Sequence, residues 1–153
     1  MKPASASQVG KRPESVLVVI YTRQGEFLLM ERNHPHGFWQ SVTGSLEWGE
    51  QGAAAAAREV AEETGLFVGH GLQDLAHQER FPIIFPWRKR YVSQYRFNTE
   101  HWFALPLSGR RSIRLDPAEH RQYRWLPAQA AIQRASSWTN RKAIELIASR
   151  SPF

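Results

Sequence analysis

Cysteine is absent from the 153 residues, which excludes disulfides and thiolate metal sites and leaves oxygen or imidazole groups as ligands for any metal. Long apolar runs are absent as well. Nothing approaches the length of a membrane span, and residues 1–13 are polar, without the apolar core of a secretory signal, so a cytoplasmic location is the default expectation. No internal repeat or low-complexity linker divides the chain. A length of 153 matches one domain, expected to run from 1 to 153, and 42% hydrophobic residues with 12% aromatics are enough to bury its core.

Acidic residues are the scarcer charge, 14 against 20 Lys and Arg, and their placement is uneven. Five of them, Glu47, Glu50, Glu59, Glu62 and Glu63, fall between 44 and 66, where Arg58 is the one base. That segment carries −4 while the remaining chain carries +10. A basic total alone would raise the possibility of a nucleic-acid partner. An acidic knot inside a basic surround instead fits a metal site encircled by groups that attract a small polyanion such as a triphosphate. A solvated acidic helix face is the plain alternative for such a run, and the spacing described next decides against it.

Residues 16–20, Val-Leu-Val-Val-Ile, form an unbroken apolar run typical of a strand buried on both faces, and a strand is expected over 15–21. Arg23, Gln24 and Gly25 turn the chain into a hairpin partner over 27–31, and a short strand follows at 38–42. Residues 51–64 are alanine-rich, lack proline and end at Gly65, which predicts a helix with a left-handed cap. Further strands are expected at 72–80, 92–97, 102–107 and 123–126, with a closing helix at 139–148. Strands on both sides of one helix, and a helix at the end, imply a mixed sheet sandwiched between helices, an α/β/α arrangement.

The chemistry concentrates in Gly44-Ser-Leu-Glu-Trp-Gly-Glu50, followed after seven residues by Arg58-Glu-Val-Ala-Glu-Glu-Thr-Gly-Leu66. Glu59, Glu62 and Glu63 are spaced i, i+3, i+4, so their carboxylates leave one helical face within reach of a shared ion. Their mutual repulsion calls for a cation, and hard oxygen ligands select Mg2+, with Mn2+ possible. Val60, with Ala53, Ala56 and Ala57, is expected on the opposite, packing side. Arg58 is placed to orient the carboxylates by forked hydrogen bonds. Residues 44–66 match the Nudix box at every specified position, and chance produces such a match less often than about once in a million chains of this length.

The resemblance to Nudix hydrolases implies the three-layer Nudix fold and Mg-dependent hydrolysis of a phosphoanhydride, with Arg58, Glu59, Glu62 and Glu63 as the catalytic centre. Outside the box, Lys11-Arg-Pro-Glu-Ser-Val-Leu-Val-Val-Ile-Tyr21, Phe38-Trp-Gln-Ser-Val-Thr-Gly-Ser45, Asn98-Thr-Glu-His-Trp-Phe103 and Ser137-Trp-Thr-Asn-Arg-Lys-Ala-Ile-Glu145 resemble the dihydroneopterin triphosphate pyrophosphohydrolases of bacterial folate biosynthesis. The chain departs from them at the proline-punctuated stretch 81–88. This likeness implies dihydroneopterin monophosphate and pyrophosphate as products. It also implies phosphate contacts at Lys11 and Arg32 and an extra metal ligand at Glu119, where a solvated charge, or for Glu119 a pair with Arg121, is the alternative.

Thr43 and Ser137 present hydroxyls to a ligand or cap a turn and a helix. Phe81, Ile83 and Ile84 form one wall of a flat pterin slot or pack into the core. Arg88-Lys-Arg90, among Trp87, Tyr91 and Tyr95, faces a polyphosphate or is merely solvated; three bases are too few for a nucleic-acid platform. His34 and His36 flank Pro35 without ligand-rich surroundings and read as loop residues. Two other functions remain open: a housecleaning pyrophosphohydrolase acting on dATP or related nucleotides, and a non-catalytic Nudix-like binding module, which the intact carboxylates disfavour.

The −4 knot in a +10 surround generates a first prediction. Screening shortens the reach of the basic field, so rising ionic strength is expected to raise KM for a triphosphate substrate while kcat stays nearly level. Steady-state kinetics across a KCl series check this, and a KM indifferent to salt removes the steering role.

Overall fold

A computed structural model describes residues 10–83 and 95–153. The expected long first strand is present as β1 (Glu14–Thr22), and Gly25, at φ +87°, turns the chain into β2 (Glu26–Arg32). Side chains alternate across β1. Val16, Val18 and Ile20 face the first helix, α1 (Gly52–Thr64), while Leu17, Val19 and Tyr21 face the opposite layer. An apolar run without polar alternation is what a strand covered on both faces requires.

The stretch expected as one strand over 38–42 is two: β3 (Trp39–Gln40) on β2 and β4 (Val42–Ser45) on β1. The chain changes partner at Ser41. Its N–H donates to Asn140 Oδ1 at 2.7 Å and its Oγ accepts from Asn140 Nδ2 at 2.9 Å, so a side chain replaces the ladder where the backbone leaves it. Because β1 and β2 register at Tyr21↔Phe27 near the hairpin, β4 occupies the place beside 15–18 farther along β1.

After α1 come β5 (Gln73–Pro82) and β6 (Phe97–Leu107). The separate strands expected at 92–97 and 102–107 are replaced, within the described residues, by β6. Polar Asn98, Thr99 and Glu100 read as a break, yet parallel pairing from Glu14↔Thr99 to Thr22↔Leu107 keeps them in the sheet. Residues 92–94 lie outside the described segments. A bulge between Asp74 and Gln78 interrupts β5, with Ala76 at φ 52° and its N–H bound to Asp74 Oδ1. The chain closes with β7 (His120–Pro127), α2 (Ala128–Arg134) and α3 (Trp138–Arg150). Helix α2 was not expected; its signal is Pro127 ahead of an alanine-rich turn.

The sheet runs β3-β2-β1-β6-β5, with β4 joined to β1 and β7 to β2; β1–β6 is parallel and the other pairs are antiparallel. One face packs on α1 through Ala55, Ala56 and Val60, and the other on α2 and α3 through Ala131, Ala143, Ile144 and Ile147. This is the mixed sheet between helices that the sequence implies. No helix among the described residues is long and apolar enough to cross a membrane.

Helix α1 corrects one expectation. Ala53 is exposed, and the buried residues are Ala55, Ala56, Val60, Glu63 and Thr64. The carboxylates therefore do not all point away from the packing face: Glu63 is part of it.

The Asn140–Ser41 pair ties α3 to the strand switch. Asn140→Ala leaves the buried Ser41 N–H without an acceptor and is expected to lower unfolding free energy by about 1–3 kcal/mol in urea titrations. An unchanged midpoint and slope would show the switch to be held by other contacts.

Candidate active site

The loop before α1 is organised by Arg58. Its Nε and one Nη donate to the two oxygens of Glu50, both at 2.9 Å, the same Nη donates to Ser45 O at 3.1 Å, and the other reaches Glu59 Oε1 at 2.9 Å. The forked guanidinium holds the Glu50 carboxyl down to about 2, so Glu50 is a fixed anion at neutral pH. Arg12 grips the same loop by donating to the backbone oxygens of Glu47 and Glu50, each at 3.0 Å. Glu50 is thus the anchor through which Arg58 is oriented.

The three helix carboxylates occupy unlike environments. Glu62 is on the exposed side, 3.4 Å from Arg58. Glu59 lies under β4, so close that a Cβ at position 44 would land on its carboxylate. Gly44 is therefore required by approach of the strand to the acid. Glu63 is 2% exposed, and neither of its oxygens makes a well-formed hydrogen bond among the described residues, the backbone of Thr43 and the Glu59 carboxyl being its near polar neighbours. Burial first, then the neighbouring Glu59 and Glu119, push its carboxyl well up; burial likewise raises Glu59.

Residue 119 comes to this cluster from outside the box. Asp116 builds the turn, its Oδ1 accepting from Ala118 N–H and its carbonyl from the Glu119 and His120 N–H groups. Asn33 pins the turn by donating from Nδ2 to Pro117 O and from its backbone N–H to Glu119 O. Ligand atoms of Glu63, Glu119 and His120 then lie within 4.8 Å of one another. Arg121, considered as a partner for Glu119, stands 3.6 Å from Glu31 instead. His120 was not singled out from sequence. It is buried beside Gln40, with Nε2 4.0 Å from Glu63, and burial with the nearby Arg32 lowers its pKa to about 4, so it is neutral at pH 7 and does not neutralise Glu63.

Orphaned, buried carboxylate oxygens facing further acids have the chemistry of a hard-cation site. Glu59, Glu63 and Glu119, with Glu62 on the open side, fit such an ion. A divalent cation held by these residues would supply Lewis-acid polarisation and charge neutralisation at phosphoryl oxygens.

On the other face of the sheet, a cleft of about 430 Å³ reaches from β4 to α3. Lys11, Arg32, Thr43, Phe81, Ile83 and Ser137 line it, so six candidate substrate contacts share one cleft. Ile84 and Arg88-Lys-Arg90 lie outside the described residues. Ser137 also caps α3, accepting from Asn140 N–H at 3.1 Å, and Arg32 Nε donates to His34 O at 2.9 Å. His34 and His36 stack on each other in the exposed β2–β3 loop. Gly44 and Ser45 border the cleft, while Gly44 touches Glu59 beneath, so the strand edge joins the cleft to the carboxylates.

The NUDIX domain family pattern matches residues 11–147. The chain is 44% identical over 142 residues to the dihydroneopterin triphosphate diphosphatase of Escherichia coli K12, covering 90% of this chain and 93% of that protein. It is 33% identical over 139 residues to the Haemophilus influenzae protein of the same name, covering 88% and 87%. The solved structure of the E. coli dihydroneopterin triphosphate pyrophosphohydrolase superposes with a TM-score of 0.85 at 42% identity, over 93% of this chain and 99% of that one.

Because Glu63 has a raised pKa when folded, the folded state keeps its proton to higher pH than the unfolded chain. The metal-free fold therefore loses stability as pH climbs from the ordinary carboxylate range through the raised value. Glu63→Gln removes that loss. The variant is expected to melt several degrees above wild type at pH 8 in EDTA and to lose the stabilisation that MgCl2 gives wild type, as calorimetry would show. An unchanged metal-free Tm with intact Mg2+ stabilisation takes Glu63 out of the site.

Proposed function

The chain belongs to the NUDIX family, and on that premise we propose that it hydrolyses dihydroneopterin triphosphate to dihydroneopterin monophosphate and pyrophosphate, using Mg2+, in the cytoplasm as a step of folate biosynthesis. One observation carries this reading. A cleft with an apolar wall and two basic side chains meets the acid cluster around buried Glu63 across a single glycine, so a flat ring and its polyphosphate can be held on either side of the reacting bond. The 44% identity to the E. coli diphosphatase over nine-tenths of the chain supports the choice of ring.

In this reading Phe81 and Ile83 pack against the heterocycle, and Lys11 and Arg32 receive phosphate oxygens. The Thr43 and Ser137 hydroxyls orient the chain between them. Arg58 holds Glu59 by one hydrogen bond and the loop by its fork to Glu50, which keeps the carboxylates in place as charge develops. Water attacks phosphorus in line, the anhydride P–O bond breaks, and the proton from water passes to the Glu59, Glu62 and Glu63 cluster. Glu119 completes the acidic set from the β7 side.

The test is a product analysis on a panel of pterin and nucleoside triphosphates with MgCl2. Pyrophosphate and dihydroneopterin monophosphate are expected, with kcat/KM at least about tenfold above that for dATP. A preference for dATP would reassign the chain to nucleotide housecleaning, and no release from any triphosphate would make it a binding module.

A further inference from the structure

Two side chains in the cleft have no part in the chemistry above. Asn98 and Glu100 are two residues apart on β6, so both point to the α3 side, on the face that also carries Trp102. Both are deeply buried, at 4% and 6% exposure. Asn98 Nδ2 donates to Ser15 Oγ at 2.8 Å, and its Oδ1 has no donor among the described residues. Glu100 receives hydrogen bonds from the Trp102 indole N–H, at 3.1 Å, and from Thr139, both neutral groups. A carboxylate offers about four lone-pair sites, so acceptor capacity is left over beside the unfilled Asn98 oxygen.

Resting on the reading of this cleft as the ring site, we infer that Glu100, flanked by Asn98, is the specificity determinant for the heterocycle. The two accept hydrogen bonds from the adjacent ring N–H and exocyclic amino group of a 2-amino-4-oxo ring. That edge presents neighbouring donors, and a pterin shares it with guanine. Adenine places a ring acceptor beside its amino group, so a carboxylate cannot take both positions. Burial pushes the Glu100 carboxyl up, as expected of an acid whose strongest partners for the charged form come from a ligand. Phe81 and Ile83, on the same cleft, supply the apolar surface against which such a ring lies flat. Positions 98 and 100 face the cavity because parallel pairing with β1 sets Glu100 opposite Ser15 and keeps both inside the sheet.

The experiment compares wild type with Glu100→Gln, which keeps size and an acceptor for Trp102 but turns an N–H2 toward the ring. KM for dihydroneopterin triphosphate is expected to rise about tenfold to hundredfold at nearly constant kcat, the effect of losing hydrogen bonds to a charged acceptor. The inhibition constant of tripolyphosphate, which has no ring, stays unchanged. dGTP and dITP differ only by the 2-amino group, and they isolate the contact. Wild type is expected to favour dGTP about tenfold in KM, and the ratio should fall to about one in the variant. An equal ratio in both proteins, or a parallel shift for tripolyphosphate, overturns the inference. If wild type ignores dihydroneopterin triphosphate but the dGTP to dITP ratio collapses in the variant, the pterin reading fails and the edge reading stands. Should Glu100→Gln not fold, Glu100→Asp, which withdraws the carboxylate by one methylene, gives the same comparison.

Discussion

The arrangement turns on acid packed against acid. Glu63 is driven into the interior by the same helical face that buries Val60, and Glu59 is pressed under β4 by a strand that only a glycine lets so near. Arg58 neutralises Glu50 and part of Glu59, but no Arg or Lys among the described residues pairs with Glu63. Such a group destabilises the metal-free fold, because desolvation and like charge both oppose its ionisation. The surrounding core must offset that, and it is extensive on both sides of β1. The strain is local, and a hard cation held among these carboxylates would relieve it.

The sheet separates the two halves of the task. Acids approach from α1 on one face, and the cleft opens toward α3 on the other. They communicate because the chain leaves β2 at Ser41 and joins β1 as β4, whose edge passes between them. Asn140 makes that exchange possible by bonding both polar groups of Ser41, so one residue of α3 sustains the strand switch and lines the cleft as well. Pinning of the Asp116 turn by Asn33 has a similar logic: a short loop is fixed by the strand connection beside it, which delivers Glu119 to the acids.

Much of this was legible in the chain itself. The apolar run of β1, the hairpin after it, the alanine-rich helix closed by Gly65 and the spacing of Glu59, Glu62 and Glu63 are patterns of local period, and local period fixes which side of an element a residue occupies. The box carboxylates also point to a divalent metal with oxygen ligands. Its spacing does not fix depth. The three glutamates are equivalent in the sequence, yet one is exposed, one lies under a strand and one is buried, because their neighbours come from β4 and from the β7 turn. The break at Ser41, the unbroken β6 and the placement of His120 depend in the same way on partners far along the chain. The sequence by itself determined which carboxylates share a helical face, since residue identity and helical spacing are local properties, and its match to the Nudix box carries the reaction class with it. Which acid is desolvated, and which oxygens of β6 face the cleft, only the tertiary structure decided, because burial and hydrogen-bond satisfaction are set by whatever the fold brings alongside.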